Sequence, residues 1–238
     1  MGRAVKILAI ADLHGRTEML DRLDTDVDLI TVSGDLHNLE SEPEARETIE
    51  ALAGLGPKVL IVPGNMDPKQ LSLRLWEEAG LEVIDRRAFR LRVHEMDIGF
   101  VGFGGIVARG FRKPGDPSRF YHREEEVFPE LEAAYKGIAG CDVKVLVTHQ
   151  PPQGCLDRSF DGEVTGSLGL RRFAEEFGPD LLLCGHIHEA RGEARIGGTL
   201  VLNVGELRKG HYATFEIFKE DDIKGYIDGI NISFLLKS

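Results

Sequence analysis

The segment KVLIVPGNMD, Lys58–Asp67, is an aliphatic run of strand length that breaks at Pro63-Gly64 and then presents Asn65, Met66 and Asp67. The same design recurs four times. VKILAIA (Val5–Ala11) is followed by Asp12 and His14, and DLITVS (Asp28–Ser33) by Asp35. VKVLVTH (Val143–His149) ends on His149, and DLLLCGH (Asp180–His186) delivers His186 and then His188. Short β-branched and aliphatic runs without polar alternation suit strands buried on both faces. Between them, SEPEARETIEALAGLG, KQLSLRLWEEAG and EEEVFPELEAAYKGIAG carry helical periodicity, with Ser41 a cap candidate, Pro43 near the first turn and Pro129 an expected irregularity. Strands alternating with helices predict an α/β fold.

The C-terminal stretch from Gly192 onward alternates with period two between Gly-marked turns, which predicts an antiparallel meander. Neither a repeat nor a linker-like shift in composition interrupts the chain, so residues 1–238 read as a single domain. The longest irregular segment, Gly104–Arg123, is a basic island holding Arg109, Arg112, Lys113, Arg119 and Arg123. A loop of that length is usually functional or mobile.

With 42% hydrophobic and 29% charged residues, the composition is that of a soluble globular protein. Lys plus Arg number 29 against 40 Asp plus Glu, for a formal charge of -11. That field disfavours a nucleic-acid polymer or an anionic membrane as partner, yet permits a small phosphate ester where metal ions supply local positive charge. Asp12 ends the first apolar run short of secretory-signal length, and Lys6 breaks the N-myristoylation pattern. No run reaches the roughly 18 apolar residues of a membrane span. Cys141, Cys155 and Cys184 are scattered without CxxC spacing, which fits a reducing, cytoplasmic location. Oligomeric state stays open, a homo-oligomer included.

In open α/β sheets ligands collect beyond the carboxyl ends of strands, so Asp12, His14, Asp35, Asn65, His149, His186 and His188 could converge on one edge. Each has a bland alternative. Asp12 could cap a helix, Asp35 and Asn65 could be turn residues after glycine, His149 could be a loop histidine, and His186 with His188 a surface pair. Five strand ends in order, all carrying metal-competent side chains, favour divalent-metal binding over that set of coincidences.

These blocks resemble the calcineurin-like metallophosphoesterase family, whose pattern is D-x-H, G-D, G-N-H-[DE], H and G-H-x-H. Here they read DLH (Asp12–His14), GD (Gly34–Asp35), GNMD (Gly64–Asp67), His149 and GHIH (Gly185–His188). The resemblance implies a four-layer αββα sandwich, two mixed β-sheets flanked by helices. It implies two divalent ions, manganese first, with Fe, Ni, Zn or Mg accepted by such ligands. By the same resemblance Asp12, His14 and His188 hold one ion, Asn65, His149 and His186 the other, and Asp35 bridges them. Asp35, Asn65 and His149 then carry the hydrolysis, in which a metal-activated water attacks phosphorus. Asn65 as a neutral ligand keeps the net site charge positive enough for a phosphate.

The chain departs from the pattern at Met66, where the family has the histidine that contacts phosphate and protonates the leaving oxygen. A thioether has no proton to give, so phosphodiesters or activated esters are favoured as substrates. His37, two residues beyond Asp35, is the candidate replacement acid, against the plainer reading of an exposed histidine at a helix entry. Asp67, without its usual partner, is expected to cap the helix opening at Pro68-Lys69. Gly104-Gly105 resembles the family's glycine turn beside the metals, and one arginine of the basic loop could reach a phosphoryl oxygen. His94, His122 and His211 fall outside the blocks, with His211 expected in solvent. Two other readings compete: a catalytically weak metal- or phosphate-binding or scaffold protein of the same fold, and a nuclease of the superfamily.

Overall fold

The computed structural model describes residues 4–38, 41–93, 95–110 and 112–217, together with the backbone of 218, 219 and 230–237. Its strands are β1 (Val5–Ile10), β2 (Leu29–Ser33), β3 (Lys58–Val62), β4 (Glu82–Val83), β5 (Ala88–Val93), β6 (Met96–Phe103), β7 (Ile106–Val107) and β8 (Tyr121–His122). They continue with β9 (Val143–Thr148), β10 (Leu181–Cys184), β11 (Gly192–Ile196), β12 (Thr199–Asn203), β13 (Tyr212–Lys219) and β14 (Ile230–Lys237). The helices are α1 (Glu42–Ala53), α2 (Lys69–Glu78), α3 (Glu124–Tyr135) and α4 (Leu168–Phe177).

Two six-stranded mixed sheets form, ordered β14-β13-β1-β2-β3-β4 and β11-β12-β10-β9-β6-β5. In the first, β1 to β4 run parallel and β13 closes antiparallel on β1. In the second, β6, β9, β10 and β12 run parallel between antiparallel edges β5 and β11.

The aliphatic runs explain the layering. Along β1, Val5, Ile7 and Ala9 enter the core between the sheets, where they join Leu60, Val62, Phe100, Val145, Leu181 and Leu202. Their neighbours Leu8 and Ile10 face the other way, onto Ile49 and Leu52 of α1 and Leu75 and Trp76 of α2. The second sheet does the same, with Leu146 and Leu182 packed outward against Leu131 of α3 and Phe173 of α4. Strands with apolar side chains on both faces therefore sit between two helical layers, and the αββα expectation holds. At Gly102 a Cβ would collide with Val62 Cγ1 and the Ile84 carbonyl, so this strand comes close only as glycine.

Several local expectations change. The C-terminal alternation is split: β11 and β12 pair in the second sheet, β13 and β14 in the first. Period two identifies a strand but carries no label for its sheet. α3 runs through Pro129 without a break. Ser41 occupies the N-cap position of α1, but its side chain caps nothing. The irregular segment contains a short parallel ladder, β7 with β8. α4, with Ser167 capping Leu170 N at 3.2 Å and Gly178 left-handed at its end, is a helix the sequence reading did not name. Among the described residues no helix is long and apolar enough to cross a membrane, and the three cysteines are buried thiols.

Candidate metal centre

The parallel strands of both sheets end at one edge, and the loops that leave them carry all seven expected ligands. Asp12 and His14 follow β1, Asp35 follows β2, Asn65 follows β3, His149 follows β9, and His186 and His188 follow β10. Four of them hold a left-handed backbone: Asp12 (φ 54°), His14 (φ 50°), Asp35 (φ 53°) and His186 (φ 65°). Such conformations cost side-chain-bearing residues about 1–3 kcal/mol each and cluster at functional sites. Hydrogen bonds from the backbone N–H hold three of them: Asp12 N to Gly34 O, His14 N to Asp35 O, and His186 N to the Asp12 carboxylate Oδ2, each 3.0 Å. At Gly64 a Cβ would run into the Asp35 carboxylate and backbone, so the loop before Asn65 needs glycine to lie against that acid.

Ligand atoms converge in two groups. Those of Asp12, His14 and His188 lie within 4.8 Å of one another, and so do those of Asp12, Asp35 and His149. Asp12 therefore belongs to both. Asn65 Oδ1 is 3.0 Å from His149 Nε2, and the His186 ring centroid is 4.9 Å from that of His149.

The imidazoles are oriented from outside. His149 Nδ1 lies 2.7 Å from the Ser33 carbonyl oxygen, so Nδ1 carries the hydrogen and donates it. Nε2 then presents a lone pair toward Asn65 Oδ1 and, at 3.5 Å, Asp35 Oδ2. Lone pairs facing one another in a buried space call for a cation. His14 repeats the arrangement, with Nδ1 2.7 Å from Asn38 Oδ1 and Nε2 turned to Asp12 Oδ1 at 3.8 Å. Asp12 is fully buried, and its Oδ1 has no hydrogen-bond partner. A buried carboxylate oxygen without a hydrogen-bond partner, ringed by histidine nitrogens, fits a divalent ion.

Electrostatics agree. Burial, and then the charge of Asp12, push Asp35 up to about 7. Burial also raises Asp12, but His188, His149 and His14 outweigh it and hold the carboxyl below its usual range. Burial, reinforced by His149, drives His186 down to about 3, so its ring is neutral and able to ligate. Burying two acids side by side is costly without positive charge between them.

The calcineurin-like phosphoesterase family model matches residues 5–190. The chain belongs to that family. An uncharacterized protein of Methanocaldococcus jannaschii is 32% identical over 217 residues, covering 85% of this chain and 89% of the relative. A solved Thermus thermophilus structure superposes with a TM-score of 0.71 at 18% identity, covering 97% of this chain and 99% of that one. Phosphopantetheinyl hydrolase from Mycobacterium tuberculosis does so with a TM-score of 0.63 at 17% identity, over 88% of this chain and 92% of the other. At these identities the two structures show a shared fold.

Within this phosphoesterase scaffold three expectations are corrected. Asp67 does not cap α2, whose N-cap is Pro68. It is fully buried and accepts from Gly64 N (2.8 Å), Asp35 N (3.0 Å) and His37 N (3.1 Å), binding the loops after β2 and β3 together. His37 is no exposed histidine: it has no accessible surface, and its Nε2 lies 3.2 Å from Ser72 Oγ on α2. His211 is half-buried, with an Nδ1 that has no hydrogen-bond partner. His122 is buried, its ring centroid 4.9 Å from that of Phe103, and His94 lies outside the described residues.

Met66 is 37% exposed, while its N–H donates to Asp35 Oδ1 at 2.8 Å. The glycine turn does border the site, since Gly105 N donates to Pro63 O at 2.7 Å. In the basic loop, Arg109 spends its guanidinium on the carbonyls of Val164 and Gly166, both at 2.9 Å, and acts as a clip. Arg112 is the loop cation whose charge reaches His186 and lowers its pKa. Sequence reading missed the outer partners of the imidazoles: Asn38, Ser33 O and Glu206, whose carboxylate is buried 3.4 Å from His188 Nδ1.

Proposed function

We propose that this chain is a phosphoester hydrolase dependent on two divalent ions, with phosphodiesters favoured over alkyl monoesters. The observation that carries the reading is the pair of converging donor groups that share Asp12, one of them fully buried, with imidazole nitrogens and carboxylate oxygens turned toward one another. Asp12, His14 and His188 would hold one ion, and Asp35, Asn65, His149 and His186 the other, with Asp12 and Asp35 between them. Divalent ions so held would supply a nucleophile at neutral pH and neutralise charge on the phosphoryl oxygens.

The chain's own residues supply the frame. Ser33 O and Asn38 fix the tautomers of His149 and His14, so Nε2 of each stays free for ligation. Asp67 holds the loops of Asp35 and Asn65 at a fixed separation through three backbone hydrogen bonds. Met66 contributes no proton at the mouth. His37 is buried with its Nε2 3.2 Å from Ser72 Oγ, which favours a reaction with little protein-borne acid catalysis at the leaving group. That selects esters whose leaving groups are stable without it. Manganese and a cytoplasmic setting belong to the same reading, in line with a ligand set of nitrogen and oxygen donors and three buried thiols.

The test is hydrolysis of matched aryl monoester and diester substrates by Mn²⁺-loaded protein. Metal-dependent turnover of the diester above the monoester is expected. The reading fails if neither is hydrolysed faster than by a His149→Ala control.

A further inference from the structure

Three of the inward-facing imidazoles turn Nε2 toward the carboxylates of the centre and Nδ1 toward an oxygen behind them. For His149 that oxygen is Ser33 O, and for His14 it is Asn38 Oδ1. For His188 it is Glu206 Oε2, at 3.4 Å from Nδ1, while His188 Nε2 lies 3.3 Å from Asp12 Oδ1. Glu206 lies beyond residues 5–190 matched by the family model, in the turn that leaves β12.

That turn is built as a brace across the two loops. Val204 N donates to Cys184 O at 3.0 Å, two residues before His186, and Leu207 N to Ala11 O at 2.8 Å, immediately before Asp12. Asn203 Nδ2 donates to Ile187 O at 2.8 Å, and Asn203 Oδ1 accepts from Gly205 N at 3.0 Å. Gly205 is left-handed (φ 77°), and a Cβ there would press on the Arg191 side chain. The chain is thereby steered so that Glu206 is carried beneath His188 with only 1% of its surface accessible.

Burying a carboxylate costs several kcal/mol unless it is paired, whereas a pair left at the surface is worth about 0–1 kcal/mol. Arg208 and Lys209 contact the Glu206 carboxylate from side chains that remain largely in solvent. They could have met it there at lower cost. The buried position is explained by the imidazole it reaches.

We propose that Glu206 is a positioning residue for the metal centre: its carboxylate accepts the Nδ1 hydrogen of His188 and holds the ring with Nε2 directed at the ion shared with Asp12. Arg208 shares Oε2 with His188, Lys209 meets Oε1, and together they fix the carboxylate's orientation. This rests on the two-ion reading above. It adds that one of the two ions depends on a residue outside the family's motif blocks.

Calorimetric titration of Mn²⁺ and Zn²⁺ into the metal-free protein tests it. The parent binds two ions. In Glu206→Ala one site weakens about 10–100-fold, the usual cost of losing an outer partner of a ligand, and the other site is unchanged. Glu206→Gln, whose amide oxygen still accepts from Nδ1, recovers most of the loss, which a general packing defect would not do. Nitrogen-15 spectra of the Zn²⁺-loaded parent should show His188 protonated at Nδ1, a readout that survives even if the alanine variant does not fold. Parental affinity at both sites in Glu206→Ala, or an Nδ1 without its proton, overturns the proposal while leaving the two-ion reading standing. A parent that binds fewer than two ions overturns both.

Discussion

Asp12→Ala is expected to empty both metal positions at once. The reason is geometric: Asp12 belongs to both groups of converging ligand atoms, and its Oδ1 has no other hydrogen-bond partner. Its Oδ2 also accepts from His186 N, so the substitution releases the loop carrying two further ligands. After Mn²⁺ loading and desalting, metal analysis should fall from two ions per chain to less than one. Turnover should fall by more than the roughly 10²–10³-fold that follows loss of a single transition-state donor. His14→Ala provides the contrast. His14 belongs to only one group, and its loss should remove one ion and spare the other. Two ions retained in Asp12→Ala would show that the two groups do not share that carboxylate.

Met66→His is expected to act in the opposite direction and on one substrate class. The side chain at position 66 is partly exposed beside Asp35, so an imidazole there can meet a departing oxygen. General acid catalysis is worth about 10²–10⁴-fold, most for poor leaving groups. The lower end is expected here. Asp67, the acid that would orient such a histidine, is already committed to three backbone N–H groups. The kcat/KM of an alkyl monoester should therefore rise about 10²-fold, while an aryl diester with a good leaving group changes little. An unchanged monoester rate would show that the absent acid does not set the preference.

What could be read from the sequence, and what could not, divides along physical lines. The ligands were legible because each lies within a few residues of an apolar run. Strand ends in an α/β fold are where such side chains gather. The left-handed backbone at Asp12, His14, Asp35 and His186 left only a weak trace in residue type, since Asp and His tolerate that region better than most side chains but do not demand it as glycine does. The partners behind the imidazoles were invisible for two reasons. Ser33 contributes a carbonyl, which every residue has, and Glu206 lies 18 positions from His188 in a segment that reads only as alternation. Asp67 was misjudged because an acid before Pro68-Lys69 looks like a cap, while its oxygens turn back to the loops that precede it. α4 is a different case. Leu170, Phe173, Ala174 and Phe177 follow helical spacing and pack on the second sheet, so the signal was present and simply unread. The division of the C-terminal hairpins between two sheets depends on long-range pairing that periodicity does not encode.

The most direct test of the central claim is anomalous diffraction at the manganese edge from crystals soaked in Mn²⁺. The account predicts two peaks, roughly 3.5–4 Å apart, one among Asp12, His14 and His188 and the other among Asp12, Asp35, Asn65, His149 and His186. A single peak, or none at this edge of the sheets, would contradict it.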